Sequence, residues 1–448
     1  MQRLTLLFST TLAVVYVTCS ALIPSVYAFD RLSKTNVVNY WGQNSVSFSG
    51  GTEGDLIEYC QDNTVDALVI AFIYQIENGV PILNLSKHCS DKYPGTPHLR
   101  CPKIEQDIQA CQARGKAILI SIGGASGSHA VQDPAQGRAL ADQVWQLFLG
   151  GSHATRPFGN AILDGVDLDL ESGQNAGYVE FVSALRTNYF KTTNNNNARP
   201  YLVTAAPQCP YPDQAMKEML ASSSFDMVFV QFYNNYCGMQ SYGTPNFNFA
   251  TWHQWATSTS VNKDVRVLLG VPGGPGAAGS GIIESTQLNT VLADLVARYD
   301  HFGGVMMWDA GIAHKSGLAS SAKTQLKNGS AMRSFDHHAN NNTATTTTAA
   351  AAATKKASVS PTIPATTASK ASPAAAPTGT VIMSAHFRKP TDPKGQLAHR
   401  TLESAITHRY RGDRPTATAT FVWTMATDYM GRPIKKGSPK WSLKKPSA

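Results

Sequence analysis

The chain has 448 residues, of which 42% are hydrophobic, so it can bury a sizeable core. Its formal net charge is +8, which by itself would suit an anionic partner such as nucleic acid. The charge is unevenly spread, however: residues 29–337 carry 21 basic and 26 acidic residues, whereas residues 381–448 carry 13 basic and 4 acidic ones. The larger part of the chain is therefore acidic, which argues against a basic groove for nucleic acid.

The first 28 residues have the composition of a secretory signal peptide. Arg3 precedes an apolar stretch over residues 4–17, and residues 26–28 (Val-Tyr-Ala) fit a small-residue cleavage site. A membrane anchor is the alternative, but the apolar stretch is short and is interrupted by Ser and Thr. No later segment approaches about 18 uninterrupted apolar residues. We expect cleavage after Ala28, no membrane span and a secreted protein, located outside the cell or in a cell wall.

Cysteine usage fits export. Cys19 lies in the predicted signal peptide, which leaves an even number of cysteines in the mature chain. Disulfides are favoured over free thiols in that compartment, and the absence of a CxxC pair disfavours zinc. Spacing alone leaves the pairing open. The remaining cysteines are Cys60, Cys89, Cys101, Cys111, Cys209 and Cys237.

Three Asn-X-Ser/Thr sequons begin at Asn84, Asn328 and Asn341. In an exported protein each is a potential N-glycan acceptor, so we expect a glycoprotein.

Eight short apolar runs alternate with helix-length stretches between residues 36 and 308. The runs are rich in Val, Ile, Leu and aromatic residues, as buried parallel strands are. They cover residues 37–41, 67–72, 117–122, 165–170, 201–206, 227–233, 265–271 and 304–308. Amphipathic stretches between them include residues 105–114, 137–149, 178–190 and 286–299. This alternation predicts an α/β fold, a (β/α)8 TIM barrel; the alternative, an open doubly wound sheet, lacks a GxGxxG after its first strand.

The fourth run is the most informative, because apolar and acidic residues alternate strictly over residues 163–172 (LDGVDLDLES). Side chains two residues apart lie on the same face of a strand. Asp167, Asp169 and Glu171 therefore share one face, which points into the barrel. Asp164 is off this face, and we expect it to serve in a turn or cap.

Crowded, buried carboxyl groups have raised pKa values, so one of them can keep a proton at neutral pH and donate it. Glu171 is nearest to the C-terminal mouth, where active sites of barrels lie, and is the predicted general acid. A solvated acidic edge strand would have polar or basic neighbours instead of aliphatic ones. A metal site would need a His or a further acid on a neighbouring strand end, so we expect no metal and no cofactor.

Residues 339–380 are rich in Thr, Ala, Ser and Pro and cannot bury a core, which predicts a linker suited to O-glycosylation. The barrel would then span residues 29–338. Residues 381–448 form a basic tail for which two interpretations stand: a disordered segment, or a small element that binds cell-wall polysaccharide through exposed aromatic residues. The aromatic residues are Phe387, Tyr410, Phe421, Trp423, Tyr429 and Trp441.

The DGxDxDxE pattern of residues 164–171 resembles that of family 18 glycoside hydrolases, in particular class III chitinases of the plant and fungal type. Further motifs agree with this resemblance, in the family's order and over nearly all of the predicted barrel. They are NYWGQN at residues 39–44, SIGG at 121–124, APQCP at 206–210, QFYNN at 231–235 and MWD at 307–309.

The resemblance implies a retaining reaction in which the substrate supplies the nucleophile. Glu171 would protonate the glycosidic oxygen while the N-acetyl oxygen of the substrate attacks the anomeric carbon. Asp169 would accept a hydrogen bond from the acetamido N–H and would pair with Asp167 deeper in the barrel. Tyr233 would donate its hydroxyl to the acetamido oxygen, assisted by Gln231.

The resemblance also implies sugar contacts by Trp308 and Tyr40, for which a buried barrel aromatic is the alternative. Gly123 and Gly124 would allow close backbone approach in the cleft. The implied disulfides are Cys60–Cys111, Cys89–Cys101 and Cys209–Cys237.

The resulting hypothesis is a monomeric, secreted endochitinase that hydrolyses β-1,4 bonds in chitin and chitin oligosaccharides, in fungal cell-wall remodelling or chitin degradation. One alternative is a catalytically inactive chitinase-like lectin. The other is an endo-β-N-acetylglucosaminidase that acts on N-glycans.

Overall fold

A computed structural model describes residues 29–171, 175–191 and 200–329, and the strands at residues 400–408 and 419–427. The chain divides into two units, Met1–Ala349 and Ala350–Ala448. The predicted signal peptide and linker lie outside the described residues, so their boundaries stay predictions. None of the helices in the described part is long and apolar enough to cross a membrane.

The first unit is a closed barrel of eight parallel strands, which confirms the predicted fold. The strands are β1 (Asn36–Trp41), β2 (Ala67–Glu77), β3 (Val80–Leu83), β4 (Ala117–Gly123), β5 (Gly165–Asp169), β6 (Leu202–Ala205), β7 (Met227–Gln231), β8 (Arg266–Pro272) and β9 (Phe302–Trp308). Strand β1 pairs with both β2 and β9, and this pairing closes the sheet. The order around the barrel is β1, β2, β4, β5, β6, β7, β8, β9, and β3 is added at the edge of β2.

Two apolar layers arise from the alternation of side chains along the strands. On β1, Val38 and Tyr40 belong to the cluster inside the barrel, whereas Val37 and Trp41 pack in the outer layer against the helices. Both faces are therefore buried, which is why the strands read as continuous apolar runs.

Helices cover the outside of the barrel and agree with the amphipathic stretches. They are α1 (Pro102–Ala113), α2 (Pro134–Phe148), α3 (Gly177–Ala184), α4 (Lys217–Ser222), α5 (Phe249–Gln254), α6 (Ser285–Arg298) and α7 (Ala310–Ser316), and residues 318–329 are also helical. Helix α3 continues as a π-helix over Leu185–Phe190. Helix α2 shows the local signals for a start: Pro134 opens it, and the Asp133 carboxylate accepts a hydrogen bond from the Gln136 N–H.

The hairpin of β2 and β3 was missed by the sequence reasoning, which ended the second strand at residue 72. The turn between the strands is Asn78-Gly79, with φ of 52° and 82°. Asn-Gly is favoured where both turn residues need positive φ, so a local signal for this hairpin was present.

Three disulfides join Cys60 to Cys111, Cys89 to Cys101 and Cys209 to Cys237. These are the pairs implied by the resemblance. The Cys209–Cys237 bond links the loop after β6 to the loop after β7, next to the C-terminal mouth of the barrel.

In the second unit, the described residues form an antiparallel pair of strands, β10 (Arg400–His408) and β11 (Ala419–Thr427). They lie within the predicted basic tail. Neither interpretation of that tail, disorder or polysaccharide binding, is tested by this strand pair.

Candidate active site

Asp167 is the deepest member of the acidic face and is fully buried. Its carboxylate accepts hydrogen bonds from three hydroxyl groups: Tyr40 at 2.7 Å, Ser121 at 2.7 Å and Thr204 at 2.6 Å. Ser121 and Thr204 stand directly beside it in the ladders to β4 and β6. Burial raises the pKa of Asp167, and the three donors partly offset that rise. The charge of Asp167 also raises the pKa of Asp169, and the expected pairing of the two carboxyl groups stays a prediction.

Asp169 ends β5 and is 4% exposed. Its Oδ1 accepts a hydrogen bond of 2.8 Å from Nε2 of Gln231, which also donates to the Ala206 carbonyl at 2.9 Å. Burial raises the pKa of Asp169 well above its ordinary value, and the nearby charges of Glu171 and Asp167 raise it further. A negative charge on Asp169 is therefore unfavourable in the free protein. A positive charge that came close to Asp169 would reduce this cost.

Glu171 lies two residues beyond the end of β5 and is half-buried. Burial raises the pKa of its carboxyl group, and the carboxylate of Asp213 raises it further. Both effects favour the protonated form that a general acid requires.

Asp213 is a functional candidate that the sequence reasoning missed. It is 5% exposed and accepts hydrogen bonds from the backbone N–H groups of Gln208, Ala215 and Met216. These donors lower the pKa of Asp213 against the rise caused by burial. The available signal was its position just after the APQCP motif, in a loop at the mouth of the barrel.

Tyr233 lies two residues beyond the end of β7 and is 8% exposed. Burial raises the pKa of its hydroxyl well above the ordinary value, and Asp169 and Glu171 add to this effect. The hydroxyl therefore stays neutral and can donate a hydrogen bond. Gln231, two residues earlier, donates to Asp169, and its expected assistance to Tyr233 at the substrate stays a prediction.

Trp308 ends β9 and is partly exposed. Its indole stacks on Phe72, with ring centroids 5.7 Å apart and planes 19° apart, so Phe72 is a second residue that sequence reasoning missed. Tyr40 is 1% exposed, and its ring centroid lies 5.7 Å from that of Trp308. Tyr40 is covered by its neighbours and donates to Asp167, which fits the buried alternative, and its contact with a sugar stays a prediction.

Close backbone approach at Gly123 and Gly124 shapes the site. Gly123 has φ of 125°, and a Cβ there would lie 2.0 Å from the Asp169 carbonyl oxygen. A Cβ on Gly124 would lie 2.9 Å from the Phe72 ring. The N–H of Gly124 donates a hydrogen bond of 2.8 Å to the Asp169 carbonyl oxygen. Neither position tolerates a side chain without moving Asp169 or Phe72.

Asp164 lies outside this site. It is 1% exposed, and its Oδ2 accepts hydrogen bonds from the Ile118 N–H and from the side chain of Gln112. It joins the loop before β5 to β4 and α1, which is a structural role of the kind expected. The part of the chain described here contains no group of three or more His, Cys, Asp or Glu side chains arranged to hold a metal ion.

Comparison with known proteins identifies the class to which this fold and site belong. Residues 36–275, more than half of the chain, match the model of Glycosyl hydrolases family 18. The chain belongs to this family.

Individual relatives agree with the family assignment. Chitinase 2 of Rhizopus oligosporus is 45% identical over 284 residues, which are 63% of this chain and 50% of that protein. Among solved structures, ICChI chitinase from Ipomoea carnea is 30% identical with a TM-score of 0.56, covering 65% of this chain and 99% of that one. The xylanase and alpha-amylase inhibitor protein XAIP-II from Scadoxus multiflorus is 28% identical with a TM-score of 0.55, covering 64% and 97%. The chain thus spans about half the length of the Rhizopus relative.

Proposed function

We propose that this protein is an endochitinase that cleaves β-1,4 bonds between N-acetylglucosamine units with retention of configuration. The observation that carries the proposal is the row of Asp167, Asp169 and Glu171 along β5 and just beyond it. Gln231 at the end of β7 donates to Asp169, and the Tyr233 hydroxyl just beyond β7 lies near Asp169 and Glu171. Similarity to a fungal chitinase and to a plant chitinase structure supports the choice of chitin as substrate.

In the first step, Glu171 donates its proton to the glycosidic oxygen, and the bond from that oxygen to the anomeric carbon breaks. The acetamido oxygen of the same sugar forms the new bond to this carbon, which gives an oxazolinium ion. Tyr233 donates a hydrogen bond to the attacking oxygen and aligns it. The raised pKa of Glu171 matches this step, because the group must carry a proton near neutral pH.

Asp169 stabilises the positive charge that develops in the oxazolinium ion. Oδ1 of Asp169 accepts the hydrogen bond from Gln231, and we assign Oδ2 of Asp169 as the acceptor for the acetamido N–H of the substrate. Burial and two neighbouring carboxyl groups make the charge of Asp169 unfavourable in the free protein. The cation relieves this cost in the transition state, so the interaction is stronger there than in the ground state.

In the second step, the ionised Glu171 takes a proton from water. The water oxygen bonds to the anomeric carbon, and the carbon–oxygen bond of the oxazolinium ring breaks. Two displacements on opposite faces restore the original configuration.

The test compares Glu171→Gln with wild type in the hydrolysis of soluble chitin oligomers. The amide has the shape of the acid but cannot donate the required proton, so we expect turnover to fall by about 10²-fold or more. Glu218→Gln is the matched control, because Glu218 is an exposed residue of α4. Equal rates for wild type and Glu171→Gln would contradict the mechanism.

A binding protein without catalysis is the second candidate, since XAIP-II shares this fold. Against it, the chain retains Glu171, Asp169, Asp167 and Tyr233. Oligomer binding by both wild type and Glu171→Gln, with turnover by neither, would favour this candidate. Release of glycans from an N-glycosylated protein, but no cleavage of chitin, would favour the N-glycan endoglycosidase.

Secretion and a role in fungal cell-wall remodelling or chitin degradation form part of the proposal. The signal-like first 28 residues and the Thr- and Ser-rich segment support it. Detection of the processed protein in culture medium or in a wall fraction, starting at Phe29, is the expected result. Retention of the unprocessed chain inside the cell would contradict secretion.

A further inference from the structure

The residue after Tyr233 joins two loops at the mouth of the barrel. Asn234 has a left-handed backbone, with φ of 56°. Its Oδ1 accepts hydrogen bonds from the N–H groups of Gly279 at 2.8 Å and Ser280 at 3.2 Å, in the loop after β8. Its own N–H donates to the Ser280 carbonyl at 3.3 Å. One side chain thus holds two consecutive N–H groups of a neighbouring loop.

That loop packs directly on Tyr233. Gly281, the next residue, has φ of 83°, and a Cβ there would lie 2.8 Å from Cα and 2.9 Å from Cβ of Tyr233. This contact is possible only because Gly281 has no side chain and can adopt the left-handed region. The backbone of residues 279–281, which we name the β8 clamp, therefore forms a wall against the base of the Tyr233 side chain.

The other side of Tyr233 is fixed independently. Asn235 donates a hydrogen bond of 3.0 Å to Oε1 of Gln208, and the Cys209–Cys237 disulfide joins the same two loops. The loop after β7 is therefore covalently held on the β6 side, whereas on the β8 side the hydrogen bonds of Asn234 hold it. The link that Asn234 makes is therefore non-covalent, and a single substitution can remove its side-chain hydrogen bonds.

We propose that Asn234 is a positioning residue that holds the β8 clamp against Tyr233 and so sets the place of the Tyr233 hydroxyl. Without the side-chain acceptor, the clamp can move away from Tyr233, and the hydroxyl loses its alignment with the acetamido oxygen. The inference rests on the role proposed above for Tyr233. A displacement of about 1 Å at a reacting group can cost about 10²-fold in rate, so a loop contact can matter for catalysis.

The first variant is Asn234→Gly, which keeps access to the left-handed backbone and removes the side chain that carries the acceptor. We expect kcat on chitin oligomers to fall about tenfold with KM nearly unchanged, because the aligned hydroxyl acts mainly in the transition state. Asn234→Asp keeps an acceptor oxygen and should restore most of the rate when each enzyme is measured at its own optimal pH. Asn78→Gly is the matched control, since Asn78 has a φ of 52° in the β2–β3 turn, and it should leave kcat unchanged.

A double-mutant cycle separates positioning from general stability. In a Tyr233→Phe background, Asn234→Gly should cost less than about twofold, because the hydroxyl on which the clamp acts is already absent. Gly281→Ala approaches the same contact from the other loop and should also lose its effect in that background. It serves as the second variant if Asn234→Gly does not fold, as judged by thermal unfolding.

Each outcome decides between the ideas. Independent, multiplicative losses in the cycle, or an unchanged kcat for both Asn234→Gly and Gly281→Ala, overturn the positioning role while the chitinase assignment stands. An unaffected rate for Tyr233→Phe in an enzyme that Glu171→Gln inactivates overturns the role of Tyr233 and the clamp with it. A folded wild type that cleaves no oligomer overturns the proposed function itself.

Discussion

Nε2 of Gln231 lies 2.8 Å from Oδ1 of Asp169 and donates a hydrogen bond to it across the barrel interior. The two residues belong to β7 and β5, which are separated by β6, and the same amide also bonds the Ala206 carbonyl just beyond β6. One side chain therefore connects three consecutive strand ends at the candidate active site. This hydrogen bond stabilises the ionised form of Asp169 in surroundings that otherwise oppose it.

Replacing Gln231 by Leu should raise the pKa of Asp169 further, because it removes the hydrogen bond that lowers it. Ionised Asp169 would then exist only at higher pH, so the acidic limb of the kcat/KM profile should move to higher pH and kcat should fall about tenfold. The measurement is a pH–rate profile on chitin oligomers, with Gln254→Leu on the exposed face of α5 as control. An acidic limb that stays in place would contradict this coupling.

Asp213→Asn should change the opposite limb. The carboxylate of Asp213 raises the pKa of Glu171. Without the charge of Asp213, the pKa of Glu171 should be lower, so Glu171 should lose its proton at a lower pH. The basic limb of the profile should therefore shift to lower pH. Asp91→Asn, at an exposed surface position, should leave the profile unchanged. A shift of the basic limb to higher pH, or none, would remove Asp213 from the site.

Asp169→Asn should lower the activity and raise the free energy of unfolding at high pH. Because the pKa of Asp169 is raised in the folded state, the folded protein binds the proton more tightly than the unfolded chain does. Stability is therefore lost as pH rises from the unfolded pKa through the folded one, and a neutral side chain avoids this loss. At pH 8 we therefore expect a higher free energy of unfolding for the variant than for wild type.

The same substitution should give no such gain at pH 3, where the carboxyl group is protonated in both states. Thermal unfolding at the two pH values provides the measurement, with the exposed Asp91→Asn as control. A variant that is less stable than wild type at pH 8 would show that the charge of Asp169 is favourable in the fold.

A chain that ends after His338 should hydrolyse soluble oligomers at the wild-type rate, because the barrel and all proposed site residues precede this position. Binding to insoluble chitin measures the contribution of residues 339–448. Reduced binding would support the polysaccharide-binding interpretation of the tail, and unchanged binding would exclude a chitin anchor. A loss of oligomer hydrolysis would contradict the predicted domain boundary.

The alternation of residues 163–172 determined which acids share a face, since the period of two along a strand is a local property. It also located Glu171 near the mouth and Asp164 off the acidic face. Local signals extended to the start of α2 at Asp133 and Pro134. They extended as well to the Asn78-Gly79 turn, which was present in the sequence although the hairpin was not predicted.

The partners of these acids were decided by the tertiary structure. Tyr40, Ser121 and Thr204 reach Asp167 from β1, β4 and β6, and Asp213 reaches the surroundings of Glu171 from the loop after β6. Spacing along the chain states which face a side chain occupies, but barrel closure and strand register decide which faces meet. The composition shows the same division. The sequence determined that the barrel region is acidic and the tail basic, whereas only packing around Asp167 and Asp169 decided how costly each of those charges is.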